Sequence, residues 1–202
     1  MIINNVIIVN HNEQFKGSVE FDNNKIINVY HKQLKGIDGK GMYLIPSFVD
    51  THTHGAVKFD FNDLTDSAEP KYSKEYFNYL LHSGVGAVIA TTVTCAKKDL
   101  EKICANLKKF AKKYDIVKGW YIEGPFISKE KKGAHEPKLI VGLDMKLLDK
   151  INKSLPSNFV KIVAVAPEAF GNLKKIKELS KHYNVALAHS NATSQVAAQA
   201  IK

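Results

Sequence analysis

From Ile45 onward the chain repeats one unit, a short apolar run followed by an amphipathic stretch, and that alternation restricts it to folds built on a parallel sheet. The runs are Tyr43 to Val49, Val85 to Ala90, Val117 to Ile122, Val160 to Ala166 and Val185 to Ala188. Between them, Leu100, Ile103, Leu107, Phe110, Ala111 and Tyr114 form a helical stripe with lysines on its other face, and further helices are expected near Lys146 to Ile151, Leu173 to Tyr183 and Ser194 to Ile201. Residues 1–44 lack this rhythm. There Val6 to Val9, Ser18 to Phe21 and Ile26 to Tyr30 are separated by Asn, Asp and Gly clusters, the pattern of hairpin strands in a small β-layer. A chain of βα units can be a doubly wound open sheet or a (β/α)8 barrel.

The polar residues that end the strands separate these two. His52 and His54 close the first, Glu123 the third and His189 the fifth. Residues i and i+2 of a strand face the same side, so His52 and His54 present two imidazoles together, and Gly55 lets the chain turn away behind them. Neutral imidazoles and a carboxylate are donors for a divalent ion. In a barrel the carboxyl ends of the strands ring one axis, where these four side chains can meet; an open sheet spreads them along a line. The Gly84-Val85-Gly86 pair precedes its strand and lacks a third glycine, which leaves no dinucleotide fingerprint.

Charge excludes other classes. Of 202 residues 45% are hydrophobic and 24% charged, ordinary for a globular chain, and the net charge is +9. Every basic residue is lysine. Arginine is the side chain that grips phosphate and nucleic acid in a two-pronged contact, and lysines 97, 98, 102, 108, 109, 112 and 113 read as one solvated helix face, so no nucleic acid partner is expected. Cys95 and Cys104 form no C-x-x-C pair, and the N-terminus lacks the basic start and apolar core of a signal peptide. The expectation is a reduced, cytoplasmic protein with no membrane partner. His82 and His182 lie in lysine-rich or helical surroundings and read as solvated, and Cys95 reads as a small buried thiol.

Longer motifs narrow the reading. Pro46-Ser47-Phe48-Val49-Asp50-Thr51-His52-Thr53-His54-Gly55, Glu123-Gly124-Pro125-Phe126, Gly133-Ala134-His135 and His189-Ser190-Asn191-Ala192-Thr193, in this order, resemble the N-acetylglucosamine-6-phosphate deacetylases of the amidohydrolase superfamily. The D-x-H-x-H piece is shared across that superfamily; the other three are more specific. The resemblance runs from about Leu44 to the last residue, and the N-terminal stretch fits the family's small β-sandwich domain.

The resemblance implies an α/β fold, a (β/α)8 metal-dependent hydrolase barrel. Residues 1–44 would be the N-terminal part of the small β-sandwich domain and residues 45–202 the first five βα units of the barrel. Glu123 and His189 match the family's metal-binding Glu and first late His, and His52 and His54 match the pair that allows an additional metal. The expected ion is zinc, with iron or another divalent ion as the alternative. Ala134 and His135 match the segment that contacts the bound sugar phosphate. The implied reaction removes the acetyl group from N-acetylglucosamine 6-phosphate, giving glucosamine 6-phosphate and acetate, and the implied full-length protein is a homo-oligomer. Deamination, cyclic-amide cleavage and a non-catalytic metal-binding remnant are the alternatives.

Length departs from this pattern. A complete barrel takes about 250 residues, whereas about 160 follow Ile45 here. The general-base Asp and a further histidine ligand are therefore expected beyond residue 202, and the chain is expected to be truncated after about five βα units.

Overall fold

The computed structural model describes residues 1–201, which divide into two compact units, Met1–Ser47 and a second beginning at Phe48. In the first unit β1 (Ile2–Val9), β2 (Gln14–Asp22) and β3 (Lys25–Tyr30) form an antiparallel meander. Asn23 and Asn24, both at positive φ, make the two-residue turn between β2 and β3, where asparagine tolerates the left-handed backbone. Two short strands, β4 (Ile37–Asp38) and β5 (Tyr43–Leu44), pair parallel to β1.

The apolar run Tyr43 to Val49 is therefore not one strand. Pro46, which has no N–H to give a ladder, stands at the break. Tyr43–Leu44 belongs to the first sheet, and β6 (Phe48–Thr53) opens the second.

That second sheet is wholly parallel. After β6 come α1 (Ser73–His82), β7 (Val85–Thr92), α2 (Lys97–Lys113), β8 (Val117–Ile122), α3 (Met145–Ser154), β9 (Val160–Val165), α4 (Leu173–Leu179), β10 (Asn184–Leu187) and α5 (Ser194–Ile201). The spatial order is β10-β9-β8-β7-β6, each strand beside its neighbour in sequence. A doubly wound sheet reverses its order at a switch point; this sheet does not. Helix α1 was not legible in the sequence: Tyr72 makes no side-chain cap and its apolar residues crowd together, Tyr76, Phe77 and Leu80 being buried.

Strand alternation sorts the side chains. Trp120 and Ile122 of β8 enter the large core with Leu100, Ile103, Leu107 and Phe110, the stripe of α2, all fully buried. Tyr121 lies in a separate small cluster with Ile89 and Ala164, and Glu123 continues that face of β8. Aromatic packing under β6 is dense: Phe59 stacks on Tyr76 (4.7 Å) and Phe110 (5.8 Å). Gly55, at φ +132, sits so close to the Phe59 carbonyl that any Cβ would collide with it. Among the described residues no helix is long and apolar enough to cross a membrane.

Candidate metal centre

Glu123 stands at the end of β8, only 4% exposed, with its N–H bonded to the Thr92 carbonyl of β7 (3.1 Å). Around its carboxylate the expected histidines gather. His52 Nε2 is 3.1 Å and His54 Nε2 3.0 Å from Oε2, and His189 Nε2 is 2.9 Å from Oε1. Strands β6 and β10 are four steps apart, about 19 Å across a flat sheet at 4.7–4.9 Å per step, too far for side chains from both to meet at one carboxylate. The sheet must curl for these contacts to exist.

The other ring nitrogens decide what the imidazoles can do. His54 Nδ1–H donates to the Thr91 carbonyl (3.2 Å) and His189 Nδ1–H to the Lys131 carbonyl (2.8 Å). A carbonyl can only accept, so the neutral rings carry their proton on Nδ1 and turn the Nε2 lone pair toward Glu123. Lone pairs facing a carboxylate at about 3 Å are stable only with positive charge among them, which is how metal-binding histidines are held by carbonyls behind them. The donor set therefore fits a divalent ion. Two overlapping groups of ligand atoms share Glu123: His52, His54 and Glu123, and Glu123, His135 and His189, the atoms of each within 4.8 Å of one another.

His135 belongs to this centre more closely than a loop contact would. It is 5% exposed, its ring 4.5 Å from that of His189. Its Nδ1, however, accepts the Thr94 N–H (3.1 Å), with the Thr94 hydroxyl 2.7 Å away. The neutral ring then carries its proton on Nε2, the opposite tautomer to His54 and His189. That makes it a hydrogen-bond donor facing the site rather than a lone-pair ligand. Ala134 beside it is exposed on the loop.

The electrostatics show the same demand for positive charge around Glu123. Burial alone would push the Glu123 carboxyl up, but where the imidazoles take up protons in place of an ion, the contact with His54, the charges of His52 and His54, and the His189 hydrogen bond together hold it down at about 2. The same carboxylate raises the His54 imidazole. Burial first, then the neighbouring His189, holds His135 below its ordinary value.

Asp50 and Asp60, the acids nearest the end of β6, have local duties. Asp50 accepts the His52 N–H (3.0 Å), and Asp60 caps the 3-10 turn Phe61–Thr65. His82, the last residue of α1, and His182, in the turn after α4, are both exposed. Thr94, and the carbonyls of Thr91 and Lys131, were not singled out in the sequence. The threonine-rich end of β7 is a faint signal for Thr94; a backbone carbonyl leaves none.

Burial pushes the Cys95 thiol up to about 12 and the Cys104 thiol up to about 11. A raised thiol pKa means a neutral, unreactive group below it. Both cysteines should label far more slowly with iodoacetamide between pH 7 and 9 than free cysteine does. Labelling of the folded chain at the free-cysteine rate would show that neither is held as described.

A parallel βα sheet that gathers an H-x-H pair, a Glu and a late His at its carboxyl ends is that of the amidohydrolase class. The relatives make it particular. The chain is 30% identical over 215 residues to the N-acetylglucosamine-6-phosphate deacetylase of Lysinibacillus sphaericus, a match covering 100% of this chain and 53% of that protein. It is 34% identical over 159 residues to the N-acetylgalactosamine-6-phosphate deacetylase of Escherichia coli O157:H7, covering 75% of this chain and 40% of that protein. The crystal structure of the Thermotoga maritima N-acetylglucosamine-6-phosphate deacetylase superposes with a TM-score of 0.78 at 28% identity, covering 98% of this chain and 51% of that one. No protein-family profile matches the chain. The chain is homologous to the N-acetylglucosamine-6-phosphate deacetylases and spans about half the length of the curated relatives it matches.

Proposed function

We propose that this chain forms the metal-binding side of a (β/α)8 barrel that removes the acetyl group from an N-acetylated amino sugar 6-phosphate, N-acetylglucosamine 6-phosphate first. The observation that carries the reading is the meeting of His52, His54 and His189 at Glu123 from strand ends that a flat sheet would hold apart. The named activity of the relatives supplies the substrate class.

Glu123, His189, His52 and His54 would hold the ion, zinc by preference for this nitrogen and oxygen donor set. When bound, it supplies Lewis acidity that makes water more acidic and an amide carbonyl more electrophilic. Ala134 and His135 line the substrate side. The His135 Nε2–H is placed to donate to the acyl oxygen as charge grows on it, and Thr94 keeps the proton on that nitrogen. Water adds to the acetyl carbon, the C–N bond breaks, and the amine leaves carrying the proton that the attacking water gives up. With no arginine in these 202 residues, the sugar phosphate would be gripped by lysine, backbone amides or residues outside them.

The relatives name two epimeric amino sugars, so the substrate test carries both. Acetate release should be measured at natural length from N-acetylglucosamine 6-phosphate, its galacto epimer and the sugar without phosphate. The phosphorylated gluco sugar is expected to be preferred, and His135→Ala to lower kcat/KM by about 10²–10³-fold. Equal rates with and without phosphate, or ammonia released from a nucleobase instead of acetate, would replace this reading with another amidohydrolase activity. Absence of any turnover at natural length would leave a metal-binding module.

A further inference from the structure

His189 adopts a left-handed backbone (φ +47), unusual for a residue with a side chain, and it does so two residues beyond the end of β10. Such a conformation persists only where the surroundings hold it. From one side the loop after β8 does so: the Ser128 N–H donates to the His189 carbonyl (3.0 Å), and the Lys131 carbonyl takes its Nδ1–H. The other side is held by a carboxylate from the end of β9. Glu168 accepts the Ser190 hydroxyl at Oε2 (2.7 Å) and the Asn191 N–H at Oε1 (2.6 Å), so both of its oxygens are spent on the two residues that follow His189.

Glu168 stands on a rigid turn. Asn172, fully buried, donates to the Ala166 and Phe126 carbonyls (3.0 and 3.2 Å) and accepts the Leu143 N–H (2.8 Å), tying the end of β9 to the loop that carries Glu123 and His135. Among the described residues no lysine or histidine makes a salt bridge with Glu168. Its direction is set by the loop it holds and not by a charge partner.

We infer that Glu168 is a positioning residue for the metal centre: through Ser190 and Asn191 it fixes the backbone of His189, so that Nε2 arrives at Glu123. The inference rests on the metal-site reading above. It assigns a function to an exposed acidic residue, outside the ligand set, that a surface charge would not have.

Cobalt titration of the purified chain tests it through the visible absorption of the bound ion, with no need of turnover. Glu168→Ala should bind cobalt about 10–100-fold more weakly, as is usual when a group behind a ligand is removed, and should alter the absorption at saturation. Glu168→Gln, which keeps one acceptor oxygen, should fall between and restore most of the spectrum; it also carries the readout if the alanine variant does not fold. A purely structural contribution lowers the melting temperature and leaves the saturated spectrum unchanged, which would overturn the inference. His189→Asn is the control. If it loses cobalt while Glu168→Ala keeps wild-type affinity and spectrum, only the role of Glu168 falls. If wild type and His189→Asn bind equally, the metal-site reading falls and the inference with it.

Discussion

Protein carrying Glu123→Gln together with His189→Asn should retain essentially no divalent metal after dialysis, whereas wild type should hold about one equivalent of zinc. A four-ligand zinc site contributes roughly 10–16 kcal/mol in apparent binding, or about 2.5–4 kcal/mol per ligand, so losing two ligands costs about 10⁴-fold or more. One equivalent is expected rather than two because both donor groups share the single Glu123 carboxylate, and His135 spends its Nδ1 lone pair on the Thr94 N–H. Elemental analysis of the two proteins, prepared side by side, decides it. Equal metal in both would remove Glu123 and His189 from the site, and two equivalents in wild type would mean that His135 turns its proton elsewhere.

Gly124→Ala should be strongly damaging for a single added methyl group near the site. Gly124 is at φ +82, where a side chain is strained, and its new Cβ would run into Thr94 Oγ1, with Thr94 Cβ and Cα at 3.2 and 3.3 Å. Positive φ costs about 1–3 kcal/mol for a non-glycine residue and overpacking about 1–3 kcal/mol more, so a loss of about 2–6 kcal/mol is expected. The effect reaches function as well. Thr94 cannot retreat without disturbing the amide and hydroxyl that face His135 Nδ1, so the tautomer of His135 should be disturbed along with stability. Chemical denaturation measures the first, and the histidine nitrogen shifts in an NMR spectrum measure the second. A loss under about 1 kcal/mol with unchanged His135 shifts would show that Thr94 and Gly124 have room to separate.

Much of this was legible before any coordinates. The βα alternation after Ile45 and the position of each ligand-type residue at a strand end were legible in sequence pattern, because a short continuous apolar run and a helix with one apolar stripe leave different spacings. His52 and His54 were readable as a pair for the same reason, and the four expected ligands do come together. The motifs at Glu123, Gly133 and His189 are those of the N-acetylglucosamine-6-phosphate deacetylases to which the chain is homologous.

What sequence could not reach was anything that depends on which group lies behind which. Pro46 divides an apolar run between two sheets, and only strand pairing shows to which sheet each half goes. Helix α1 forms without a cap because its buried face meets Phe59 and Phe110, contacts made across the chain. Periodicity and motif made His54, His135 and His189 candidates, but not which of them offers a lone pair. That is decided by a carbonyl behind His54, another behind His189 and an amide behind His135. A backbone group carries no side-chain identity, so its partner across the fold is written in tertiary structure alone; sequence determined which donors this protein has, and packing decided the direction in which each of them points.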